Sequence, residues 1–216
     1  MMPSKGFTHE STYNESTEWY TPRAIFQGLK VDFDLDPCSP GPDVVRWIPA
    51  QVHYTIRDDG LTAKWFGNVF MNPPYGQDTP RWMKRLSKHS NGIALVFARP
   101  DTQWFHDYIP LADAICFLKG RVKFVPAEKA LFYADGQYQP KASCGAASML
   151  VAFGERNAEA LFKSNLGLAL PVSRLAEKFR EDTRFAGDKV EALQPTAGPY
   201  ENPPCYAETE QGLFGR

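Results

Sequence analysis

The chain has 216 residues, 43% of them hydrophobic and 23% charged, with a formal net charge of −1. That length buries a sizeable core without staples, and no apolar run approaches the roughly 20 residues of a membrane span. Four scattered cysteines (Cys38, Cys116, Cys144, Cys205) without a Cys-x-x-Cys pair argue against zinc and for reduced thiols in a cytoplasmic protein.

Residues 1–18 are polar, mixed in charge and read as an arm rather than a secretory signal. Thr21 as N-cap and Pro22 at the first helical position open a helix running to Leu29. Residues 32–36 alternate like a strand and stop at Pro37-Cys38-Ser39-Pro40-Gly41-Pro42. A second strand is expected at 52–56, closed by Asp58-Asp59-Gly60, and a third at 68–71. Residues 79–89 carry a helical pattern, and 93–98 form the near-continuous apolar run of a buried parallel strand. A helix at 102–109 and a strand at 114–118 follow. Past Gly120 the runs shorten. Residues 122–125, 130–133 and 147–153 suggest antiparallel strands appended to a parallel set, with Asp135-Gly136 as a turn. Helices are expected at 157–162 and 172–179, and a flexible tail at 186–216, rich in Pro, Gly and Glu from about Gln194. Alternating strands and helices imply an α/β sheet with helices on its faces, in one domain over 19–185.

The stretch Asn72-Pro73-Pro74-Tyr75-Gly76 follows the apolar run Val69-Phe70-Met71. At ordinary residue frequencies its first four residues arise by chance on the order of once per thousand chains of this length, so a chemical reading is warranted. An exocyclic amine on a nucleobase is a poor nucleophile because its lone pair is delocalised into the ring. Drawing that nitrogen toward tetrahedral geometry requires acceptors for its hydrogens. The Asn72 side-chain oxygen and the Pro73 carbonyl are such acceptors, held on a stiff extended turn by two prolines. Tyr75 offers a face for base stacking, worth roughly 1–3 kcal/mol. Asn202-Pro203-Pro204 is an internal contrast: Cys205 precedes Tyr206 and no apolar strand leads in, so that copy reads as loop filler. Arg81, Lys84, Arg85, Lys88 and His89 follow the first loop, and Lys119, Arg121 and Lys123 form a second basic group. Arg81, Lys84, Arg85, Lys88, Arg121 and Lys123 are candidates for DNA phosphate contacts, the alternative being solvated faces of a helix and a strand.

Five segments occur in order over residues 19–153: Trp19-Tyr20-Thr21-Pro22, Phe33-Asp34-Leu35-Asp36-Pro37-Cys38, Asp59-Gly60-Leu61 with Trp65, the Asn72–Gly76 loop, and Gly120-Arg121-Val122-Lys123-Phe124. In this the chain resembles the phage-type, Dam-like DNA adenine-N6 methyltransferases. The resemblance implies S-adenosylmethionine as donor, a Rossmann-like sheet, and transfer to N6 of a flipped-out adenine in double-stranded DNA. It also implies the cytoplasm of a bacterial or phage-infected host cell. Asn72, Pro73, Pro74 and Tyr75 are then the catalytic residues. Trp19, Thr21, Pro22, Asp36, Pro37, Cys38 and Asp59 are the donor-binding ones, and no metal is needed. Where related enzymes place glycines after the Asp-Pro loop, Gly41 stands alone in a Pro-Gly-Pro turn. The interval from Asp36 to Asn72 has room for about one crossover unit, which takes roughly 30 residues or more. The sheet is therefore expected to be trimmed or joined by short loops. Between residues 38 and 57 only Asp43 is available as a ribose-binding acid.

The same loop chemistry serves N4-cytosine and protein glutamine-amide methylation, and a non-catalytic DNA-binding module is a third alternative. The terminal Gln211-Gly212-Leu213-Phe214 is similar to a sliding-clamp-binding tail.

Overall fold

The computed structural model describes residues 18–141 and 143–172. All but the first residue of the expected helix at 172–179, the flexible tail, the Asn202-Pro203-Pro204 copy, the Gln211–Phe214 segment and all but the last residue of the N-terminal arm lie outside these residues.

A short strand β1 (Trp19–Tyr20) leads into helix α1 (Arg23–Leu29). The N-cap is Pro22 and not Thr21, because Pro22 is still extended (φ −72°, ψ 152°) and Thr21 is buried one residue upstream. Ile25, Phe26 and Leu29 form the buried stripe of α1. Strands β2 (Phe33–Asp36), β3 (Ala50–His53) and β4 (Val69–Met71) follow, then α2 (Thr79–His89), β5 (Gly92–Phe97) and α3 (Gln103–Tyr108). Pro80 sits in the first turn of α2, where its missing N–H costs nothing. Trp82, Met83 and Leu86 face inward, leaving Arg81, Lys84 and Lys88 exposed. Next come β6 (Ala114–Leu118), β7 (Val125–Pro126), α4 (Ala130–Ala134), β8 (Ser148–Phe153), α5 (Glu155–Lys163) and β9 (Gly167–Pro171).

The main sheet has seven strands in the order β3-β2-β4-β5-β8-β6-β9. The first four are mutually parallel; β8 runs antiparallel to β5 and β6, and β9 antiparallel to β6. Side chains alternate across it. Phe70, Ile93 and Leu95 pack with Phe26 of α1 and Leu161 of α5 on one face. Val69, Met71, Ala94 and Val96 pack with Trp82, Met83 and Leu86 of α2 and Trp104 of α3 on the other. Among the described residues, no helix is long and apolar enough to cross a membrane.

Three expectations change. The second strand ends at His53, so Tyr54, Thr55 and Ile56 leave the sheet. Residues 130–133 form helix α4 and not a strand: Tyr133 turns inward against Trp47 while Leu131 and Phe132 stay exposed, and Asp135-Gly136 closes the helix instead of a hairpin. Of 122–125, only Val125 is in a strand, and β7 pairs with β1 outside the main sheet. The interval between Asp36 and Asn72 resolves as a trimmed arrangement, in which β3 and β4 are reached through turns with no helix.

Candidate active site

Strand order reverses between β2 and β4: from β2 the chain moves to β3 on one side, and from β4 to β5 on the other. In open α/β sheets, the crevice beyond the carboxyl ends of strands at such a point is where ligands bind. Asp36 ends β2 and Asn72 follows the end of β4. A cleft of about 1090 Å³ opens there. Pro37, Cys38 and Asp59 line one part of it, and Asn72, Pro73 and Tyr75 another.

The Asn72 amide is fixed at both ends. Its Nδ2 donates to the Trp19 carbonyl at 3.1 Å, and its Oδ1 accepts from the Tyr75 hydroxyl at 2.9 Å. The same hydroxyl lies 3.3 Å from the Leu95 carbonyl. Phe97 backs the Tyr75 ring in a stacked contact (4.1 Å between centroids, 28°), and Phe124 meets it edge-on at 6.1 Å. Burial, with a smaller contribution from Cys144, pushes the Tyr75 phenol well above its usual value, so it is a neutral donor. Beyond the prolines, Gly76 has φ +113°, and its N–H donates to Thr79 Oγ1 at 3.1 Å, joining the loop to the start of α2.

On the other side, the Asp36 carboxylate is turned into the protein. Oδ1 accepts the Cys38 N–H at 3.1 Å, and Oδ2 lies 3.9 Å from His53 Nδ1. His53 Nε2 lies 3.1 Å from the Ala50 carbonyl, which can only accept, so Nε2 carries the proton. Nδ1 then accepts from Ser39 Oγ at 2.8 Å, while that oxygen accepts the Gly41 N–H at 3.0 Å. The Pro-Gly-Pro turn is thus held by its own serine and a histidine from β3.

Burial raises the Asp36 carboxyl from its ordinary 3.8 to about 7, opposed by the Cys38 N–H. Below the unfolded-state value the acid is protonated in both states and imposes no penalty. As pH rises through the interval up to about 7, the unfolded chain ionises first and the stability contribution is lost. Burial lowers the pKa of His53, which gives the opposite trend on acidification. Comparison with Asp36→Asn isolates the carboxyl: thermal denaturation between pH 4 and 7 should show the variant gaining on the parent as pH rises. Parallel Tm profiles would contradict the buried acid.

Asp59 is exposed, with φ +49°, and its Oδ2 accepts from the Thr62 hydroxyl at 2.8 Å. Next to it, Gly60 has no room for a side chain: a Cβ would lie 2.0 Å from the Pro37 carbonyl oxygen. Trp65 Nε1 donates to the Gly60 carbonyl at 2.7 Å, which accounts for the Asp-Gly-Leu…Trp spacing.

Residues 9–157 match the family model described as DNA N-6-adenine-methyltransferase (Dam). The chain belongs to that family. No curated protein and no solved structure gives a significant match. The stretch matched to the adenine-methyltransferase family contains every candidate catalytic, donor-binding and DNA-binding residue named above.

Of the residues expected at the donor, Trp19, Pro37, Cys38 and Asp59 line the cleft. Thr21, Pro22 and Asp36 do not. The Thr21 carbonyl accepts from Trp47 Nε1 at 2.7 Å, Pro22 caps α1, and Asp36 braces the loop from behind. Asn72, Pro73, Pro74 and Tyr75 all line it. Among the basic residues, Lys84, Lys88 and Lys123 are exposed, Arg81 pairs with Asp78 at 3.0 Å on the surface, and Arg121 donates to the Gly145 carbonyl at 3.1 Å. Arg85 departs from the expectation. Its guanidinium donates to the carbonyls of Leu61 (2.6 Å) and Ala63 and lies over the Trp65 ring at 4.9 Å, so it pins the 61–65 segment to α2 instead of facing solvent. Several lining residues were not anticipated. Ile56 is 97% exposed at the cleft, in a turn that the sequence reads as the end of a strand. Phe97 and Trp82 gave no signal, since inside apolar runs they look like any core residue.

Proposed function

We propose that this chain transfers a methyl group from S-adenosylmethionine to the exocyclic N6 of adenine in DNA. What carries the reading is that one cleft is shared by the Pro37–Pro40 and Asp59–Gly60 loops and by the Asn72–Tyr75 loop, so donor and amine meet in one space. Trp19, Pro37, Cys38 and Asp59 would hold S-adenosylmethionine, with Ile56 and Trp82 as apolar cover. The close approach of Gly60 to Pro37, which a Cβ would fill, suits a ligand held against backbone. Bound there, S-adenosylmethionine supplies an electrophilic methyl group. The sheet fits a Rossmann-like methyltransferase sheet trimmed at the β3 edge.

Asn72 Oδ1 and the Pro73 carbonyl would accept the two amine hydrogens, drawing the nitrogen toward tetrahedral geometry. The Tyr75 ring, backed by Phe97, would lie against the base. Asn72 is no general base, so the proton leaves to water. A duplex hides N6 from such a cleft, and rotating the adenine out costs a few kcal/mol of unstacking. Arg81, Lys84 and Lys88 on α2, with Arg121 and Lys123, would meet the DNA phosphates.

Incubation with methyl-labelled S-adenosylmethionine and either unmethylated DNA or a protein extract tests this. Label should appear in N6-methyladenine after nucleoside digestion. Label in N4-methylcytosine or in protein would replace the substrate assignment, and none in either would defeat it.

A further inference from the structure

The Asn72 amide works only if its oxygen, and not its nitrogen, faces the target amine. Three features fix that orientation. The Trp19 carbonyl accepts from Nδ2 at 3.1 Å; exchanging the two amide atoms would set oxygen against oxygen. The Tyr75 hydroxyl donates to Oδ1 at 2.9 Å. Phe97 stacks on the Tyr75 ring, and the Leu95 carbonyl lies 3.3 Å from its hydroxyl, so the donor itself is held in place. An amide oxygen has two lone pairs, and Tyr75 uses one. The other is left for an amine hydrogen.

We propose that the Tyr75 hydroxyl is a positioning group, distinct from the Tyr75 ring, which aims the Asn72 amide at the amine together with the Trp19 carbonyl. The proposal rests on the methyltransferase reading above. It assigns two separable tasks to one residue: the ring covers the base, and the hydroxyl acts through Asn72. It also gives β1 a part in the chemistry, since the carbonyl that completes the clamp comes from a strand more than fifty residues upstream, anchored by its pairing with β7.

Tyr75→Phe keeps the ring and removes only the hydroxyl. Single-turnover methyl transfer should slow by roughly 2- to 10-fold, the range of one net hydrogen bond. Affinity for S-adenosylmethionine, and the fluorescence rise of DNA carrying 2-aminopurine at the target position, should stay at parental levels. Tyr75→Leu, which removes the ring as well, should lose part of the 2-aminopurine signal. In an Asn72→Ala background, adding Tyr75→Phe should change the rate no further. Rates are taken per donor-binding site, so a fraction of misfolded protein does not enter. An undiminished rate in Tyr75→Phe overturns the proposal, as does a full additional loss in the double variant or a fall confined to base capture. An inactive parent protein would instead overturn the methyltransferase reading.

Discussion

Asn72→Ala should slow single-turnover methyl transfer by roughly 10²–10³-fold, the usual loss when one preorganised polar group at a reacting atom is removed. Affinity for S-adenosylmethionine should remain near the parental value. The two effects separate because Asn72 sits at the end of β4, whereas the expected donor contacts come from the loop after β2 and from the Asp59–Gly60 turn. The substitution also leaves the Trp19 carbonyl and the Tyr75 hydroxyl without their partner. The hydroxyl still has the Leu95 carbonyl at 3.3 Å, so the loss of stability should be small beside the loss of rate. Calorimetric titration of the donor and a quenched single-turnover assay read the two quantities independently. Turnover close to the parental rate would remove Asn72 from the mechanism.

Gly60→Ala should be the most damaging small change on the donor side. A Cβ there meets the Pro37 carbonyl oxygen at 2.0 Å and the Trp82 ring at 2.9 Å. The first obstacle is backbone and cannot swing away, so the Pro37–Pro40 loop must move. Overpacking of this kind costs about 1–3 kcal/mol, or roughly 2–12 °C in Tm for a domain of this size. A displaced positioning loop should raise the Kd for S-adenosylmethionine by roughly tenfold or more. Gly136→Ala serves as the comparison: its φ is +76°, but a Cβ would meet nothing within 4 Å, so it tests backbone strain without a clash. That variant should lose a little stability and bind the donor normally. Equal donor affinity in Gly60→Ala and the parent would show that the Asp59–Gly60 turn does not shape the site.

Local rules carried much of the architecture. The stripe Trp82-Met83-Leu86 with Pro80 in its first turn marks α2, and the apolar run of β5 has one reading once its length is considered. The Asn72–Tyr75 loop stood out because the proposed chemistry needs those residue types on a stiff turn, and the structure brings all four to the cleft. Other features depend on partners distant in the chain. Ala130-Leu131-Phe132-Tyr133 is too short for helix and strand periods to differ, and what decides it is Tyr133 docking on Trp47, where Arg23 also donates to the Tyr133 carbonyl. Arg85 looks like its neighbours in a basic run until Leu61 and Ala63 are brought beside it. Asp36 was singled out as a donor ligand, yet which way a carboxylate turns at a strand end is set by what lies behind it, here His53 and the Cys38 N–H. The hydroxyl of Tyr75 was invisible for the same reason.

The place of β8 has a consequence for how the protein is made. All six of its residues are buried between β5 and β6, and both neighbours precede it in the chain. From the emergence of β6 out of the ribosome to that of β8, the edges of β5 and β6 that β8 will cover have no partner from this strand. At ordinary elongation rates that interval lasts on the order of seconds. Such edges are templates for pairing with any other extended chain. Those edges therefore stay open until β8 emerges, and a product ending short of β8 would keep them open permanently.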